Sequence, residues 1–81
     1  MISKMFAIKD RKATFWHPFT AVNEHVAKRD FAISVNREPK MRDLAPDLEL
    51  YMIGSFDDAT AEVTANVEYL CSALDVLEVT E

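Results

Sequence analysis

The first quarter of the chain predicts two β-strands separated by a polar turn. Ile2 to Lys9 mixes β-branched and aromatic residues and then meets the polar cluster Lys9-Asp10-Arg11-Lys12, a pattern typical of a strand that ends in a turn. Thr14 to Val22 predicts a second strand. Because Pro18 has no backbone N–H to donate, we expect this second strand to lie at the sheet edge or to contain a bulge.

The next segment carries the signals of an amphipathic helix from about Glu24 to Asn36. Asn23 is a favourable N-cap, and the carboxylate of Glu24 suits the positive end of the helix dipole. Pro39 and Asn36 mark the end of the helix. Small and apolar residues recur at helical spacing and define the face that packs on the core: Val26, Ala27, Phe31, Ser34 and Val35.

The second half of the chain predicts two further strands and a second helix. Leu48 to Phe56 alternates large side chains on both faces, which indicates a central strand or one covered on both sides. A polar turn at residues 57–60 leads into a short strand, Ala61 to Thr64. A helix near Val67 to Leu77 is predicted because apolar residues recur there at helical spacing: Val67, Leu70, Cys71, Leu74 and Leu77.

These segments together predict an α+β fold in one small domain that comprises residues 1–81. The order is β-β-α-β-β-α, and short connections favour two hairpins that form a four-stranded antiparallel sheet. One Gly, three Pro and no internal repeat leave no segment that resembles a linker. A single cysteine excludes an intramolecular disulfide. The longest apolar runs have four residues, so we expect no membrane span or signal peptide and an intracellular location.

Charge is distributed very unevenly between the two halves of the chain. Residues 1–42 contain nine basic and four acidic residues, which gives +5, whereas residues 43–81 contain ten acidic residues and no Lys or Arg, which gives −10. Local potential rather than net charge steers a binding partner. The pattern therefore favours an anionic ligand on one face, or attraction between copies of the chain.

The residue types needed for catalysis or for metal binding do not occur at useful spacings. His17, His25 and Cys71 form no metal-ligating pair, and structural zinc normally needs four ligands. With Gly54 as the only glycine, a phosphate-binding glycine loop is excluded. Asp57 and Asp58 are typical of a turn rather than of a cation site. We therefore expect no catalytic residue, no metal and no cofactor.

Basic residues beside aromatic residues are the strongest candidate for a binding site. Proteins that bind single strands combine a positive groove with aromatic platforms on which bases stack. In a strand, Phe15, His17 and Phe19 would share one face and Trp16 would point to the other. Trp16 could instead cover a helix or a second subunit, and the helix cations could be a solvated face. The predicted site consists of Lys9, Arg11 and Lys12, with Trp16 as a stacking candidate and Lys28 and Arg29 as secondary contacts.

Several segments resemble the small nonstructural protein of gokushoviruses, bacteriophages of the Microviridae with single-stranded DNA genomes. The resemblance covers roughly residues 5–64, followed by a C-terminal helical extension at about 65–81. Ala61 departs from it, because these proteins often have Gly after the Thr of this turn. The segments that carry it are Met5-Phe6-Ala7-Ile8, Asp10-Arg11-Lys12-Ala13, Pro18-Phe19, Val26-Ala27-Lys28-Arg29-Asp30-Phe31 and, most specifically, Leu50-Tyr51-Met52-Ile53-Gly54-Ser55-Phe56-Asp57-Asp58.

The resemblance implies a non-enzymatic protein that binds single-stranded DNA and supports viral single-strand DNA synthesis or packaging. It implies action in the host cytoplasm, together with phage replication or capsid proteins as further partners. It supplies no catalytic residue. The alternative is a protein–protein interaction or assembly adaptor that acts through its acidic half and through self-association. The small size of the chain also predicts a symmetric homodimer, formed through the last helix or an exposed sheet edge.

Overall fold

Four antiparallel strands form a single sheet in the computed structural model, which describes residues 1–78. The strands are β1 (Ile2–Asp10), β2 (Phe19–Ala21), β3 (Leu48–Asp57) and β4 (Val63–Ser72). Their spatial order is β2-β1-β3-β4, so β1 and β3 are central and β2 and β4 are the edges. The last three residues of the predicted C-terminal extension, 79–81, lie outside the described residues.

Three α-helices accompany the sheet: α1 (Glu24–Arg37), α2 (Pro39–Asp43) and α3 (Ala73–Val76). A single-turn 3-10 helix at Ala45–Asp47 leads into β3. The structure thus confirms a small α+β domain with a four-stranded antiparallel sheet, but the predicted element order omits α2. Pro39 does end α1, yet it also occupies the first position of α2, where its missing N–H and fixed φ are tolerated. No helix within residues 1–78 is long and apolar enough to cross a membrane.

The helix α1 forms as the sequence predicts and packs on one face of the sheet. The side chain of Asn23 accepts a hydrogen bond of 2.9 Å from the backbone N–H of Val26 and so caps the first turn. Ala27, Phe31 and Val35, four residues apart, are buried along one stripe. They meet apolar side chains of β1 and β3 in a common core, which comprises Phe6, Leu48, Leu50, Ala27, Phe31, Val35, Ala45 and Ala73.

One side chain of α1 fastens the C-terminal segment to this core. The amide nitrogen of Asn36 donates to the carbonyl oxygen of Val76 at 2.9 Å, and its amide oxygen accepts from the N–H of Glu78 at 2.6 Å. The guanidinium of Arg42 donates to the carbonyl oxygen of Glu78 at 3.0 Å. These bonds occupy backbone groups of the last residue of the short helix α3 and of Glu78, and they hold that segment against α1.

The second predicted strand, Thr14 to Val22, is interrupted. Phe15 forms an isolated bridge with Lys9, and β2 begins only at Phe19, opposite Phe6. Four residue steps separate Phe15 from Phe19, but three separate Lys9 from Phe6. One extra residue reverses the face, because side chains alternate along a strand. The expectation that Phe15 and Phe19 share a face is therefore wrong, whereas the edge position expected from Pro18 is confirmed.

The C-terminal third differs most from the prediction. The short strand at Ala61–Thr64 and the helix at Val67–Leu77 are both wrong, because β4 extends through Val63–Ser72 and only Ala73–Val76 is helical. Pairing along β3 supplies hydrogen bonds for this length of chain, and Val, Thr and Tyr suit a pleated strand. Cys71 consequently lies on a strand beside Leu50 and not on a helix.

The sheet is longer than the helix that covers it. By standard rises, the 14 residues of α1 span about 21 Å, whereas the ten residues of β3 span about 33 Å. The uncovered end of the sheet forms a projecting arm of residues 2–5, 53–57 and 63–67. The molecule is accordingly elongated, with extents of 48 × 23 × 17 Å. At the tip of the arm, the N-terminal ammonium of Met1 contacts Asp58 at 2.6 Å.

Gly54 in β3 is predicted to be intolerant of any side chain. Its φ is +156°, and a Cβ atom there would overlap the carbonyl oxygen of Thr64 on β4. Gly54→Ala should therefore lower the free energy of unfolding by at least about 2 kcal/mol. A urea unfolding midpoint equal to that of the wild type would contradict this role.

In the turn after β3, a change of Ala61 to glycine should have the opposite effect on stability. Ala61 has a φ of +64°, a left-handed conformation that costs a residue with a Cβ about 1–2 kcal/mol. After the greater flexibility of glycine in the unfolded chain is subtracted, Ala61→Gly should stabilise the protein by about 0.5–1 kcal/mol. The same urea titration measures it, and a lower midpoint would show that the turn gains nothing from glycine.

Candidate nucleic-acid interface

The sheet face opposite α1, here called the open face, carries a row of aromatic rings. Phe15 and Tyr51 meet edge to face with ring centroids 5.3 Å apart, and Tyr51 meets Tyr69 in the same way at 5.6 Å. Phe15 is 40% exposed and Tyr69 is 48% exposed. The rings therefore form one packed row, called the aromatic row below, that leaves aromatic surface in contact with solvent.

Strand register explains why these three rings meet. Tyr51 in β3 lies opposite Ala7 of β1 on one side and opposite Tyr69 of β4 on the other. Phe15 joins from beyond β1 through its bridge to Lys9. Side chains opposite one another in an antiparallel pair share a face, so the row crosses the sheet perpendicular to the strands. Beneath it, Ala7 is only 1% exposed although it lies outside the α1-packed core.

A cation, the ammonium of Lys9, accompanies the aromatic row. The ammonium nitrogen of Lys9 lies 5.5 Å from the ring centroid of Phe15 and 5.8 Å from that of Tyr51. Both distances are within the range of a cation–π interaction. Lys9 follows Ala7 by two residues on β1, so alternation places it on the open face. A positive charge is thus held directly beside partly exposed rings.

Acidic groups limit the positive potential of the open face. Glu49 of β3 is the cross-strand neighbour of Lys9. Partial desolvation raises the pKa of the Tyr69 phenol, and the charges of Asp75 and Glu49 raise it further. Tyr69 therefore remains a neutral ring at physiological pH. Any anion that approaches Lys9 must also approach the carboxylate of Glu49.

The predicted residues Arg11 and Lys12 lie in the turn that directly follows β1, at the same end of the sheet as Lys9. The N–H of Arg11 donates to the carbonyl oxygen of Asp47 at 2.8 Å, and the N–H of Lys12 donates to the Asp10 carboxylate at 3.0 Å. Both residues are exposed. The turn backbone is thereby anchored while its two cationic side chains reach into solvent.

Trp16 lies on the other side of the sheet from the aromatic row. Its backbone N–H donates to the carbonyl oxygen of Ile8 at 2.8 Å, and the half-buried indole packs against the α1-covered core. Phe15, its neighbour in sequence, takes the open-face position. The structure therefore places Trp16 where its ring covers the core and not on the open face.

Lys28 and Arg29 lie on α1 and are paired with acids of the same helix. The ammonium of Lys28 contacts the Glu24 carboxylate at 2.9 Å, and Arg29 contacts Asp30 at 3.4 Å. The hydrogen bond between Lys28 and Glu24 raises the pKa of the lysine and lowers that of the glutamate. The structure therefore brings Lys9, Arg11 and Lys12 together and places Trp16, Lys28 and Arg29 elsewhere.

The residues that sequence reasoning did not select are Phe15, Tyr51 and Tyr69. Alternation in Leu48–Phe56 already places Tyr51 on the face opposite to Leu50. A ring with a polar hydroxyl on the face away from the core could therefore have marked Tyr51 as a surface residue. Tyr69 was hidden because its segment was assigned to a helix. Without β4, no pattern in the sequence aligns Tyr69 with Tyr51.

Residues 1–78 hold no group of three or more His, Cys, Asp or Glu side chains that could bind a metal ion. Cys71 is half-buried between β3 and the core, and this burial raises the pKa of its thiol. The raised pKa favours the protonated, poorly nucleophilic form.

The family model described as Phage ORF5 protein matches residues 3–76. This range includes the three helices and four strands of the described residues, except Ile2 at the start of β1. No curated protein and no solved structure matches the chain.

The two neighbouring aromatic residues Trp16 and Phe15 should contribute very differently to stability. Trp16→Ala removes a ring that packs on the core, so it should lower the free energy of unfolding by about 2–3 kcal/mol, somewhat less than for a fully buried ring. Phe15→Ala should lower it by less, about 1 kcal/mol, since Phe15 is 40% exposed and its ring contacts Tyr51 and Lys9 on the open face rather than the core. Urea unfolding followed by circular dichroism measures both; equal losses would contradict the assignment of faces.

Proposed function

Because the chain belongs to the Phage ORF5 protein family, we propose that it is a non-enzymatic phage protein that binds single-stranded DNA through the open face of its sheet. The observation that carries this proposal is the aromatic row of Phe15, Tyr51 and Tyr69 with Lys9 held beside it. The gokushovirus resemblance of residues 5–64 supports it independently.

Ring chemistry favours an unpaired strand as the ligand. Every base has a flat face that stacks on an aromatic side chain, and each nucleotide brings a phosphate that a lysine or arginine can contact. In a duplex the base faces are already stacked on one another and are not available. Open faces of four-stranded sheets bind nucleic acid in this way, with two or three bases stacked on ring positions.

Charge defines which end of the open face the DNA uses. Lys9, Arg11 and Lys12 cluster where β1 ends, whereas the acids at residues 57, 58 and 62 surround the opposite end, at the tip of the arm. DNA bound to the aromatic row would therefore extend toward the turn at Arg11 and Lys12. Glu49 beside Lys9 keeps the affinity moderate.

The biological role follows from the proposed ligand and from the resemblance. A protein that covers unpaired DNA supports viral single-strand DNA synthesis or its packaging, and it would act in the host cytoplasm beside phage replication or capsid proteins. Covering single strands requires binding without strong sequence preference. Stacking meets that requirement, because it does not read the hydrogen-bonding edge of a base.

The ring at position 69 should decide affinity for an unpaired strand. Loss of one stacked base costs about 1–3 kcal/mol, so Tyr69→Leu should weaken binding of a labelled oligothymidylate by about fivefold or more. Tyr69→Phe is the matched control and should bind like the wild type, because it keeps the ring. Fluorescence anisotropy at low salt measures both, and equal affinities for the two variants would contradict stacking.

The turn cations should control the salt dependence. The Arg11→Ala/Lys12→Ala variant should bind all DNA sequences more weakly, and to the same degree. It should also reduce the slope of log affinity against log salt by about 0.7 per lost phosphate contact. The Lys28→Ala/Arg29→Ala variant removes the same charge from α1 and should change the slope far less. If the α1 variant has the larger effect, the site lies on the helix side.

Glu49→Gln tests the same surface by a change that should raise, rather than lower, the affinity for DNA. It removes the carboxylate next to Lys9, so affinity for oligothymidylate should rise by about threefold to tenfold, a change of roughly 1 kcal/mol. An unchanged affinity would mean that DNA does not approach Lys9. Absence of any DNA binding at low salt would instead favour the adaptor function.

A further inference from the structure

The two edges of the sheet differ greatly in how well they are protected. The edge strand β2 has three residues and follows Pro18, and short strands and prolines are common guards against edge-to-edge pairing. The other edge, β4, has ten residues and contains no Lys, Arg, Pro or Gly. Its pairing with β3 is irregular at two places, between Ala65 and Glu68 and between Tyr69 and Cys71, and bulges of this kind are a guard against pairing. Within residues 1–78 no strand pairs with its outer side, so its outer backbone N–H and C=O groups are available for a further strand.

The exposed edge is also apolar on one face. Val63 is 60% exposed, Val67 is 63% exposed and Tyr69 is 48% exposed. Together with Ala65, these residues occupy every second position of β4. The pairing of Val63 with Phe56 and that of Tyr69 with Tyr51 place all four on the open face. All residues from Val63 to Tyr69 are exposed, so the described chain leaves both faces of this segment uncovered.

We infer that β4 pairs with β4 of a second copy of this chain, antiparallel about a two-fold axis at Asn66, and forms a continuous eight-stranded sheet. A two-fold contact requires one surface to be complementary to itself, and the segment 63–69 meets this condition. Around Asn66, Val63 lies opposite Tyr69 of the second copy and Ala65 lies opposite its Val67. Pairs of an aromatic with a β-branched residue are favourable across strands.

Charge and face parity select this register over its neighbours. On the helix side, Thr64 lies opposite Glu68 of the second copy, so no like charges face each other. An axis at Glu68 would oppose two carboxylates, which is unfavourable. A shift by one residue of a single strand would place open-face residues against helix-side residues. The axis at Asn66 also pairs all seven residues of the exposed segment, more than an axis at Val67.

The dimer would join the two aromatic rows. Tyr69 is the ring nearest the β4 edge, so the open faces of both copies would form one surface on the same side of the eight-stranded sheet. The assembly does not rest on DNA binding, because it is measured in the absence of any nucleic acid. Its failure and the failure of the proposed function are therefore separate results.

Opposite charges at position 64 test both the assembly and its register. By light scattering at high micromolar concentration in low salt, the wild type should have twice the chain mass of 9.2 kDa. Thr64→Glu places two carboxylate pairs across the interface and should weaken association by about threefold to tenfold. Thr64→Lys places two opposite-charge pairs there and should strengthen it by a similar factor.

Within the monomer, position 64 lies opposite the uncharged Ser55, so both variants should fold, and circular dichroism checks this. The control Val22→Lys changes a residue that is 75% exposed but far from β4 and should leave the mass unchanged. A monomeric wild type, or equal association of the Glu and Lys variants, would overturn the inference.

A cysteine at the axis tests the register by a second method. In a Cys71→Ser background, Asn66→Cys should give a disulfide-linked dimer on mild oxidation, because the two sulfurs meet across the axis within disulfide range. Thr64→Cys should remain unlinked, since its partner position is Glu68. Cross-linking of the position-64 variant instead of the position-66 variant would overturn the proposed pairing.

Discussion

The architecture depends on one mismatch of length, since α1, the longest helix of residues 1–78, is shorter than the sheet on which it packs, and the sheet has two faces. The buried stripe Ala27, Phe31 and Val35 of α1 packs on one face, over the end of the sheet that holds Phe6 and Leu50. With only about 21 Å of helix for about 33 Å of strand, the opposite face and the arm stay uncovered. The aromatic row partly shields the opposite face, and the exposed edge of β4 belongs to the arm.

The same apolar atoms serve stability and surface chemistry on the open face. The aromatic row lies over Ala7, which is 1% exposed, so the rings replace the second helix layer that a larger domain would place there. Rings that are partly buried and partly wet keep a fixed position without being removed from solvent. A platform of this kind is pre-organised, and a ligand need not pay for ordering it.

Local signals predicted β1, α1 and β3 because each has a typical composition or period and a matching boundary signal, such as the N-cap Asn23 at the start of α1. They failed at residues 67–72, where the apolar spacing fits a helix but pairing with β3 provides more hydrogen bonds to a strand. The residues of the candidate site could be predicted only in part, for the same reason. Lys9, Arg11 and Lys12 are adjacent in sequence, whereas Phe15, Tyr51 and Tyr69 meet only through the register of β1, β3 and β4, which no single segment encodes.

We propose that DNA binds the open face and not the helix-covered face. A direct test is a titration of isotope-labelled protein with oligothymidylate, followed by amide chemical shifts in two-dimensional NMR. The largest shifts are expected in Lys9, Arg11, Tyr51 and Tyr69, while the amides of α1 should remain nearly unchanged. Shifts concentrated in α1 around Lys28 and Arg29, with the aromatic row unaffected, would contradict it.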